Sequence, residues 1–134
     1  MRVSDLMTID RITVTPKTPV LEARQLMLEK RIRHLLVTDG PKLAGIVTDR
    51  DIRLNLPSPA TSLSVWEINY LLARMTVDAA MTKDVVTISP GQDATEAAQL
   101  MLDRKIGALP VVEGGRLVGI ITETDLLRAF VKTS

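Results

Sequence analysis

The feature that most constrains this chain is an internal duplication. Residues 3–56 align with residues 77–130 without a gap, at an offset of 74 positions. The match is clearest near the end of each copy, where Gly-Ile-Val-Thr-Asp-Arg-Asp at 45–51 corresponds to Gly-Ile-Ile-Thr-Glu-Thr-Asp at 119–125. One copy is too small to bury a sheet face well by itself. We therefore predict two similar repeats whose sheets pack against each other about a pseudo-twofold axis.

Each copy has the hydrophobic pattern of a β-α-β-β-α unit, so the expected fold class is α/β (α+β). Short apolar runs bounded by turn residues predict strands, and apolar residues at helical spacing predict the helices between them. The predicted repeats are residues 1–56 and 77–134, joined by a linker at 57–76. The predicted elements are, in the first repeat, a helical turn at 3–7, strands at 12–15, 35–37 and 43–47, and helices at 20–30 and from 49; in the second, a turn at 77–81, strands at 86–89, 109–112 and 117–121, and helices at 94–105 and from 123.

The linker is predicted to contain a short helix. Pro57-Ser58-Pro59 is expected to end the preceding helix, and Ser64 followed three residues later by Glu67 is typical of a capping box. A helix over 65–74 places Trp66 and Tyr70 on one side, at i and i+4. We favour packing of these two rings over the surface of the pair. The alternative is an exposed patch for a partner or for a second copy of the chain.

Composition excludes several classes of function. The 134 residues carry a net charge of +1 and only 2% aromatic residues, which argues against nucleic-acid and membrane partners. With no cysteine and one histidine, thiol chemistry and a metal site are not expected. No phosphate-binding loop of the Gly-x-x-x-x-Gly-Lys type occurs, so an enzyme is the least favoured class and no catalytic residue is assigned. Without an apolar signal segment, a cytoplasmic protein is expected.

Both copies of the terminal motif place a threonine three residues before an aspartate at the start of a helix. These pairs are Thr48 with Asp51 and Thr122 with Asp125. One interpretation is a helix cap, because threonine caps well and an acid suits the first turn. The other is a ligand site, in which hydroxyl and N–H groups face an anion and the carboxylate accepts from sugar hydroxyls. The repetition of the pair favours the ligand site.

Two tandem β-α-β-β-α units that end in Gly-hydrophobic-x-Thr-x-x-Asp resemble a pair of CBS domains, also called a Bateman module. The resemblance covers residues 3–130, nearly the whole chain. The linker at 57–65 further resembles that of bacterial acetoin-utilisation-type CBS proteins.

The resemblance implies binding of an adenosine-containing small molecule (AMP, ADP, ATP or S-adenosylmethionine) in two clefts, with no other cofactor required. In such proteins the aspartate accepts from the ribose and the threonine donates near the ribose or phosphate. The residue opening the first strand lies against the adenine, and the threonine four positions earlier offers contacts to the base. The implied ligand-binding residues are Thr48, Asp51, Thr122 and Asp125 for the ribose side, Ile12 and Val86 for the adenine, and Thr8 and Thr82 for the base edge.

The repeats differ in charge before their second strand. The first has Arg33-His34 where the second has Gly107-Ala108. In related proteins these positions approach the phosphates of a ligand held by the companion repeat. Arg33 and His34 are therefore expected to serve the cleft of Thr122 and Asp125, whereas Arg50 partly compensates in the other cleft. Alternatively, His34 is a surface or strand-edge residue and the two arginines are solvated. We predict one phosphate-competent cleft and one weaker, empty or less polar cleft.

Two functions are therefore compared. The first is a regulatory adenine-nucleotide sensor, in which ligand binding shifts the population between conformations or oligomers. The second is a structural module for dimerisation and partner binding whose clefts are unoccupied. The resemblance also implies a homodimer and a protein partner that the module regulates.

Overall fold

The computed structural model describes residues 1–9, 12–55 and 64–133. Within these ranges the elements follow the predicted order, except that the strand predicted at 86–89 is not formed, and the fold is a mixed α+β arrangement with two small sheets. The helices are α1 (Val3–Leu6), α2 (Val20–Lys30), α3 (Asp49–Leu54), α4 (Val65–Arg74), α5 (Ala94–Arg104) and α6 (Glu123–Thr133), with a 3-10 turn at Val77–Ala79. The strands are β1 (Thr13–Val14), β2 (His34–Asp39), β3 (Lys42–Thr48), β4 (Ala108–Glu113) and β5 (Arg116–Thr122).

The long helices of the two repeats, α2 and α5, end in the same way. The residue after α2 is Arg31 and the residue after α5 is Lys105, and both have a left-handed backbone with φ of 55°. The following N–H groups then reach back to the helix, from Ile32 to the Met27 carbonyl at 3.0 Å and from Ile106 to the Met101 carbonyl at 3.1 Å. This six-to-one bond closes the helix end and turns the chain toward the next strand.

The chain forms two compact units that do not coincide with the sequence repeats. The first-repeat unit comprises residues 12–40 and 44–84, and the second-repeat unit comprises residues 1–11, 41–43 and 85–134. The short turns at 3–7 and 77–81, which precede the first strand of each repeat and are the lead-in segments, are thus exchanged between the two units. The Val3 N–H donates to the Gln92 carbonyl at 2.8 Å, and the Val77 N–H donates to the Thr18 carbonyl at 2.9 Å. Each unit is completed by the segment that precedes the other repeat in sequence.

The first-repeat unit is built on a sheet with strand order β1-β2-β3. Strands β1 and β2 are parallel, with Thr13 opposite Leu36 and Val14 opposite Val37. Its aliphatic core brings α2 against the sheet and against α4 and the 3-10 turn, which removes these apolar side chains from water. The buried residues include Val20, Ala23, Met27, Leu35, Val37, Val47, Ile52, Leu72 and Val77.

The second-repeat unit is built on the antiparallel pair β4 and β5, with Ala108 opposite Thr122. The strand predicted at 86–89 is reduced to one parallel bridge between Ile88 and Val111. A longer ladder would need an N–H from residue 110, and Pro110 has none. The first repeat has Leu36 at that position, which explains why its first strand pairs over two residues. The buried core of this unit is Val3, Ile88, Ala97, Met101, Leu109, Val111 and Ile121.

The linker helix α4 forms as predicted, but its two aromatic rings face away from the core. Trp66 is 83% exposed and Tyr70 is 57% exposed, so the favoured packing interpretation is wrong. The inner face is taken instead by Leu72, which is buried, and Ile68, which packs against the core. Trp66 and Tyr70 each precede one of these residues by two positions and so lie on the opposite side of the helix.

The capping box predicted for α4 is present. The Glu67 N–H donates to the Ser64 hydroxyl at 3.2 Å, and the Ser64 N–H donates to the Glu67 carboxylate at 3.3 Å. Residues 57–63 of the predicted linker lie outside the described residues, as does the predicted helix stop at Pro57-Ser58-Pro59. Among the helices that are described, none has the length and apolar character needed to span a lipid bilayer.

Candidate functional site

Thr48 and Asp51 form the first threonine–aspartate corner, the turn at which β3 ends and α3 begins. Thr48 has an extended backbone (φ −120°, ψ 162°) and is the N-cap of α3. Its hydroxyl accepts from the Asp51 N–H at 3.0 Å, and Asp51 Oδ2 accepts from the Thr48 N–H at 2.9 Å. The two side chains thus satisfy reciprocally two backbone donors that the helix start would otherwise leave unpaired.

The second corner repeats this geometry between β5 and α6. Asp125 Oδ2 accepts from the Thr122 N–H at 2.9 Å, and the Thr122 hydroxyl lies 3.3 Å from the Asp125 N–H. The Thr122 hydroxyl also lies 3.0 Å from Asp125 Oδ2, to which it donates. Both predicted pairs are therefore brought together, and the capping interpretation describes what they do in this structure.

The capping bonds use only one oxygen of each aspartate. In the second corner, Asp125 is just 9% exposed, and its other oxygen, Oδ1, lies 3.8 Å from a guanidinium nitrogen of Arg128. At that distance the two groups form an ion pair, but they are too far apart for a hydrogen bond. A buried carboxylate is costly unless its oxygens are satisfied. Oδ1 thus has spare capacity to accept a hydrogen bond from a ligand hydroxyl.

The lead-in threonines pair with the strands that end at these corners. Thr8 and Ile120 exchange backbone hydrogen bonds at 2.8 and 3.0 Å, and Thr82 and Ile46 do so at the same two distances. Thr8 therefore lies beside the strand that ends at Thr122, and Thr82 beside the strand that ends at Thr48. Pairing of each lead-in segment with the return strand of the other repeat was missed by sequence reasoning.

These pairings explain why each motif begins with glycine. A Cβ at Gly45 would lie 2.6 Å from the Thr82 carbonyl oxygen and 3.0 Å from Met81 Sδ. A Cβ at Gly119 would lie 2.9 Å from both the Thr8 carbonyl oxygen and Met7 Sδ. The glycine therefore allows a close backbone approach. The duplicated Met-Thr pairs at 7–8 and 81–82 were the sequence signal for this contact.

The residues predicted to lie against the adenine are each in the unit of a corner. Ile12 is half-buried and packs on the core of the first-repeat unit, which contains Thr48 and Asp51. Val86 is half-buried and packs on the core of the second-repeat unit, which contains Thr122 and Asp125. Each unit thus combines one apolar side chain with one threonine–aspartate pair.

The predicted basic residues all lie in the first-repeat unit. Arg33 is exposed, and His34, the first residue of β2, is half-buried; burial lowers the pKa of His34 and favours its neutral imidazole. Arg50 is exposed on the first turn of α3. It stays a prediction that Arg33 and His34 approach the phosphates of a ligand held by Thr122 and Asp125.

Two other arginines are ion-paired beside the first corner. Arg24 and Arg53 lie 3.4 and 3.2 Å from the carboxylate of Asp49, the residue after Thr48. Sequence reasoning did not single out either arginine. The i,i+4 spacing of Asp49 and Arg53 was the signal available for one of them.

A cavity of about 190 Å³ adjoins the second corner, between α1 and α6. Ligand pockets are usually about 300–1,000 Å³, so this cavity fits part of a small molecule rather than the whole. Sequence reasoning missed it, because only the folded chain brings α1 beside α6. Its lining residues are Asp5, Leu6, Asp125, Arg128, Ala129 and Lys132.

Solved structures with the same fold include proteins crystallised with adenosine compounds. A Vibrio cholerae structure assigned as the acetoin utilization protein AcuB is 31% identical with a TM-score of 0.83, covering 99% of this chain and 92% of that one. CBSX2 in complex with AMP is 33% identical with a TM-score of 0.82, covering 98% and 97%. A CBS domain pair in complex with 5′-methylthioadenosine and S-adenosyl-L-methionine is 28% identical with a TM-score of 0.78, covering 100% and 98%.

Curated relatives include both enzymes and proteins of similar size. An inosine-5′-monophosphate dehydrogenase of Korarchaeum cryptofilum is 42% identical over 118 residues, which are 87% of this chain and 22% of that protein. The chain spans about a fifth to a half of the length of the first curated relatives that it matches. The family model of the CBS domain matches residues 3–58 and 77–132. This chain therefore belongs to the CBS domain family and carries two tandem copies of the domain.

Proposed function

We propose that the chain is a regulatory module that binds an adenosine-containing ligand at its threonine–aspartate corners. The observation that carries this proposal is the buried carboxylate of Asp125. Its Oδ2 is held by Thr122, and among the described residues the one contact of its Oδ1 is the 3.8 Å ion pair with Arg128. A ribose offers neighbouring hydroxyls that donate to such an oxygen. The complexes of CBSX2 with AMP and of a CBS domain pair with 5′-methylthioadenosine and S-adenosyl-L-methionine give the adenosine class.

The geometry suits binding without loss of the helix cap. The capping bonds use Oδ2 of each aspartate, and the ribose hydroxyl would use Oδ1. The carboxylate is thereby held in position before the ligand arrives, which lowers the entropy cost of binding. A hydrogen bond to a charged acceptor is also stronger than one between neutral groups.

The remaining contacts are assigned by the chemistry of the ligand. Adenine needs apolar walls and a few hydrogen bonds at its edge. The half-buried Ile12 and Val86 would provide the walls, and Thr8 and Thr82 would provide edge contacts. Charged groups of the ligand would meet cationic side chains, for which the candidates are Arg33, His34 and Arg50.

Regulation would follow from a difference in ligand affinity between two conformations or oligomeric states. We propose that the module acts in the cytoplasm as a homodimer and passes this change to a protein partner. Catalysis is not part of the proposal, because the corners supply hydrogen-bond acceptors and donors rather than a nucleophile and its base.

The proposal is tested by isothermal titration of the purified chain with AMP, ADP, ATP and S-adenosylmethionine. Asp125→Asn keeps the size of the side chain and replaces one acceptor oxygen with a donor. We expect saturable binding of at least one ligand, weakened about tenfold or more in Asp125→Asn, that is by about 1.4 kcal/mol. Asp51→Asn is the matched variant of the other corner and is expected to change that affinity little. Equal loss in both variants would contradict a dominant second corner.

A structural dimerisation module is the second candidate. It is favoured by the closed capping boxes, which account for both threonine–aspartate pairs without a ligand. If the folded chain binds none of the four compounds and the corner variants lose only stability, this second function replaces the first.

A further inference from the structure

The linker helix α4 carries apolar side chains on two sides. Ile68 and Leu72 face the core of the first-repeat unit, whereas Val65, Trp66 and Tyr70 are exposed. A helix with one apolar side needs only its own core, but a helix that is apolar on more than one side is normally covered on each of them. Neighbouring exposed apolar side chains mark interaction sites. The structure thus leaves on α4 an apolar surface that another molecule can cover.

The exposed side chains form a groove along the helix. Its volume is about 390 Å³, and the lining residues that the structure describes are Trp66, Glu67, Tyr70 and Leu71. We call this surface the outer face of α4. All four residues belong to one helix. A small-molecule site encloses most of its ligand, which a groove on a single helix does not do. A protein surface is the better occupant, because it supplies the missing walls itself.

A glutamate and an arginine lie on the same side of α4, toward opposite ends of the outer face. Glu67 and Arg74 are seven residues apart, which is two turns and about 10 Å along the helix. Glu67 accepts from Ser64 through Oε1, and within the described ranges its Oε2 has no hydrogen-bond or ion-pair partner. The guanidinium carbon of Arg74 lies 4.2 Å from the centre of the Tyr70 ring, and Arg74 forms no ion pair with a described residue. Each charge can therefore pair with a group on another molecule.

This arrangement of charges is complementary to itself. When two copies of α4 pair in opposite directions about a twofold axis, Glu67 of each copy lies opposite Arg74 of the other. The axis then passes between Tyr70 and Leu71, so that Tyr70 of one copy faces Leu71 of the other. Pairing in the same direction would bring like charges together at both ends, which is unfavourable. The charges therefore favour a second copy of this chain, in the antiparallel orientation.

We propose that two copies of this chain associate through the outer faces of α4, paired antiparallel. This inference goes beyond the proposed function, because it assigns an interface to the homodimer and holds whether or not the corners bind a ligand. Trp66 and Tyr70 are the apolar anchors on each side, and Glu67 and Arg74 set the orientation.

The size of the outer face predicts a weak dimer. A buried aromatic side chain removes about 150–250 Å² from water, so Trp66 and Tyr70 of both copies together remove at most about 1,000 Å². Leu71 and Val65 add to this area, but stable specific interfaces bury about 1,200–2,000 Å². The contact is therefore at the lower end of that range. The dimer should dissociate on dilution, which leaves Trp66 exposed as it is in the single chain.

Sedimentation velocity of the whole chain over a range of protein concentrations tests the interface. We expect the wild-type chain to pass from monomer to dimer as its concentration rises, and Trp66 to become protected from acrylamide over the same range. Trp66→Gln should weaken the dimer at least about tenfold, because a few large aromatic anchors carry most of the energy of an interface. Leu102→Gln is the matched control. Leu102 is 73% exposed on α5, outside the proposed interface, and its substitution should not change dimerisation.

Two substitutions of the arginine test the antiparallel orientation. Arg74→Glu would place a carboxylate opposite Glu67 of the other copy and should weaken the dimer several-fold. Arg74→Lys keeps the positive charge and should dimerise nearly as the wild-type chain does. An equal loss in both variants would overturn the charge pairing, because the arginine would then act only by packing on Tyr70.

The remaining outcomes separate this inference from the proposed function. A wild-type chain that stays monomeric at every concentration overturns the inference, and so does protection of Trp66 that is independent of concentration, because the same chain would then cover it. A dimer weakened by Leu102→Gln and not by Trp66→Gln also overturns it and leaves the homodimer with another interface. Ligand binding is decided separately, because none of these variants alters a threonine–aspartate corner.

Discussion

The substitution Gly45→Ala tests the exchange of lead-in segments most sharply. The new methyl group would lie 2.6 Å from the Thr82 carbonyl oxygen, well inside contact distance. That carbonyl cannot move away freely, because it accepts a hydrogen bond from the Ile46 N–H at 3.0 Å. The Thr82 N–H in turn donates to the Ile46 carbonyl at 2.8 Å. Overpacking of this kind costs about 1–3 kcal/mol. Reduced freedom of the unfolded chain offsets about 0.4–1 kcal/mol. From the middle of these two ranges, we expect a net loss of about 1.3 kcal/mol.

Urea unfolding followed by circular dichroism measures this loss. For a slope of about 2 kcal/mol/M, a loss of about 1.3 kcal/mol lowers the midpoint by about 0.65 M. Gly91→Ala is the matched control, since a Cβ there meets no atom within 4 Å and the backbone φ is not positive; it should leave the midpoint unchanged or raise it slightly. Gly119→Ala, with its closest contacts at 2.9 Å, should fall between the two. A Gly45→Ala midpoint equal to that of Gly91→Ala would refute the close approach.

Three further predictions concern a helix cap, the linker helix and the histidine. Thr122→Ala removes the hydroxyl that caps α6 and should lower the free energy of unfolding by about 1 kcal/mol in the absence of ligand, measured by urea unfolding. Trp66, the only tryptophan, should emit as a water-exposed indole and be quenched by acrylamide as strongly in the folded as in the unfolded chain. Because burial lowers the pKa of His34, the unfolded chain binds its proton more tightly; stability should be lost as the pH falls below about 6.5, and the loss should be smaller in His34→Gln.

Each of these predictions has a contradicting result. An unchanged unfolding midpoint in Thr122→Ala would mean that the hydroxyl does not cap the helix. Tryptophan fluorescence protected from acrylamide at low protein concentration would mean that Trp66 is covered. An identical decline in stability between pH 7 and pH 5 in the wild-type chain and in His34→Gln would mean that His34 does not contribute to it.

Much of the local structure could be predicted because it depends on residues close in sequence. The capping pair Ser64 and Glu67 marked the start of α4, and the prolines and glycines marked the turns. Side-chain periodicity located α2 and α5 to within a residue of their ends. The duplication then supplied the second copy of each element and identified the two threonine–aspartate pairs.

Long-range pairing could not be predicted in the same way. Because the repeats are alike, the sequence does not show whether Thr8 pairs with the return strand of its own repeat or with that of the other. Trp66 was predicted to be packed because it shares one side of the helix with Tyr70, but Ile68 and Leu72 occupy the inner face of α4 instead. The cavity beside Asp125 depends on the approach of α1 to α6, which arises only from the exchange of lead-in segments.

The most direct test of the account is to locate the bound ligand by NMR chemical-shift mapping. ¹⁵N-labelled chain would be titrated separately with AMP and with S-adenosylmethionine. We expect at least one compound to shift the amide signals of Thr122, Asp125 and Thr8 more than any others, since the Thr122 N–H donates a hydrogen bond to the carboxylate that would receive the ribose. Saturable shifts confined to α4, or no shifts with either compound, would contradict it.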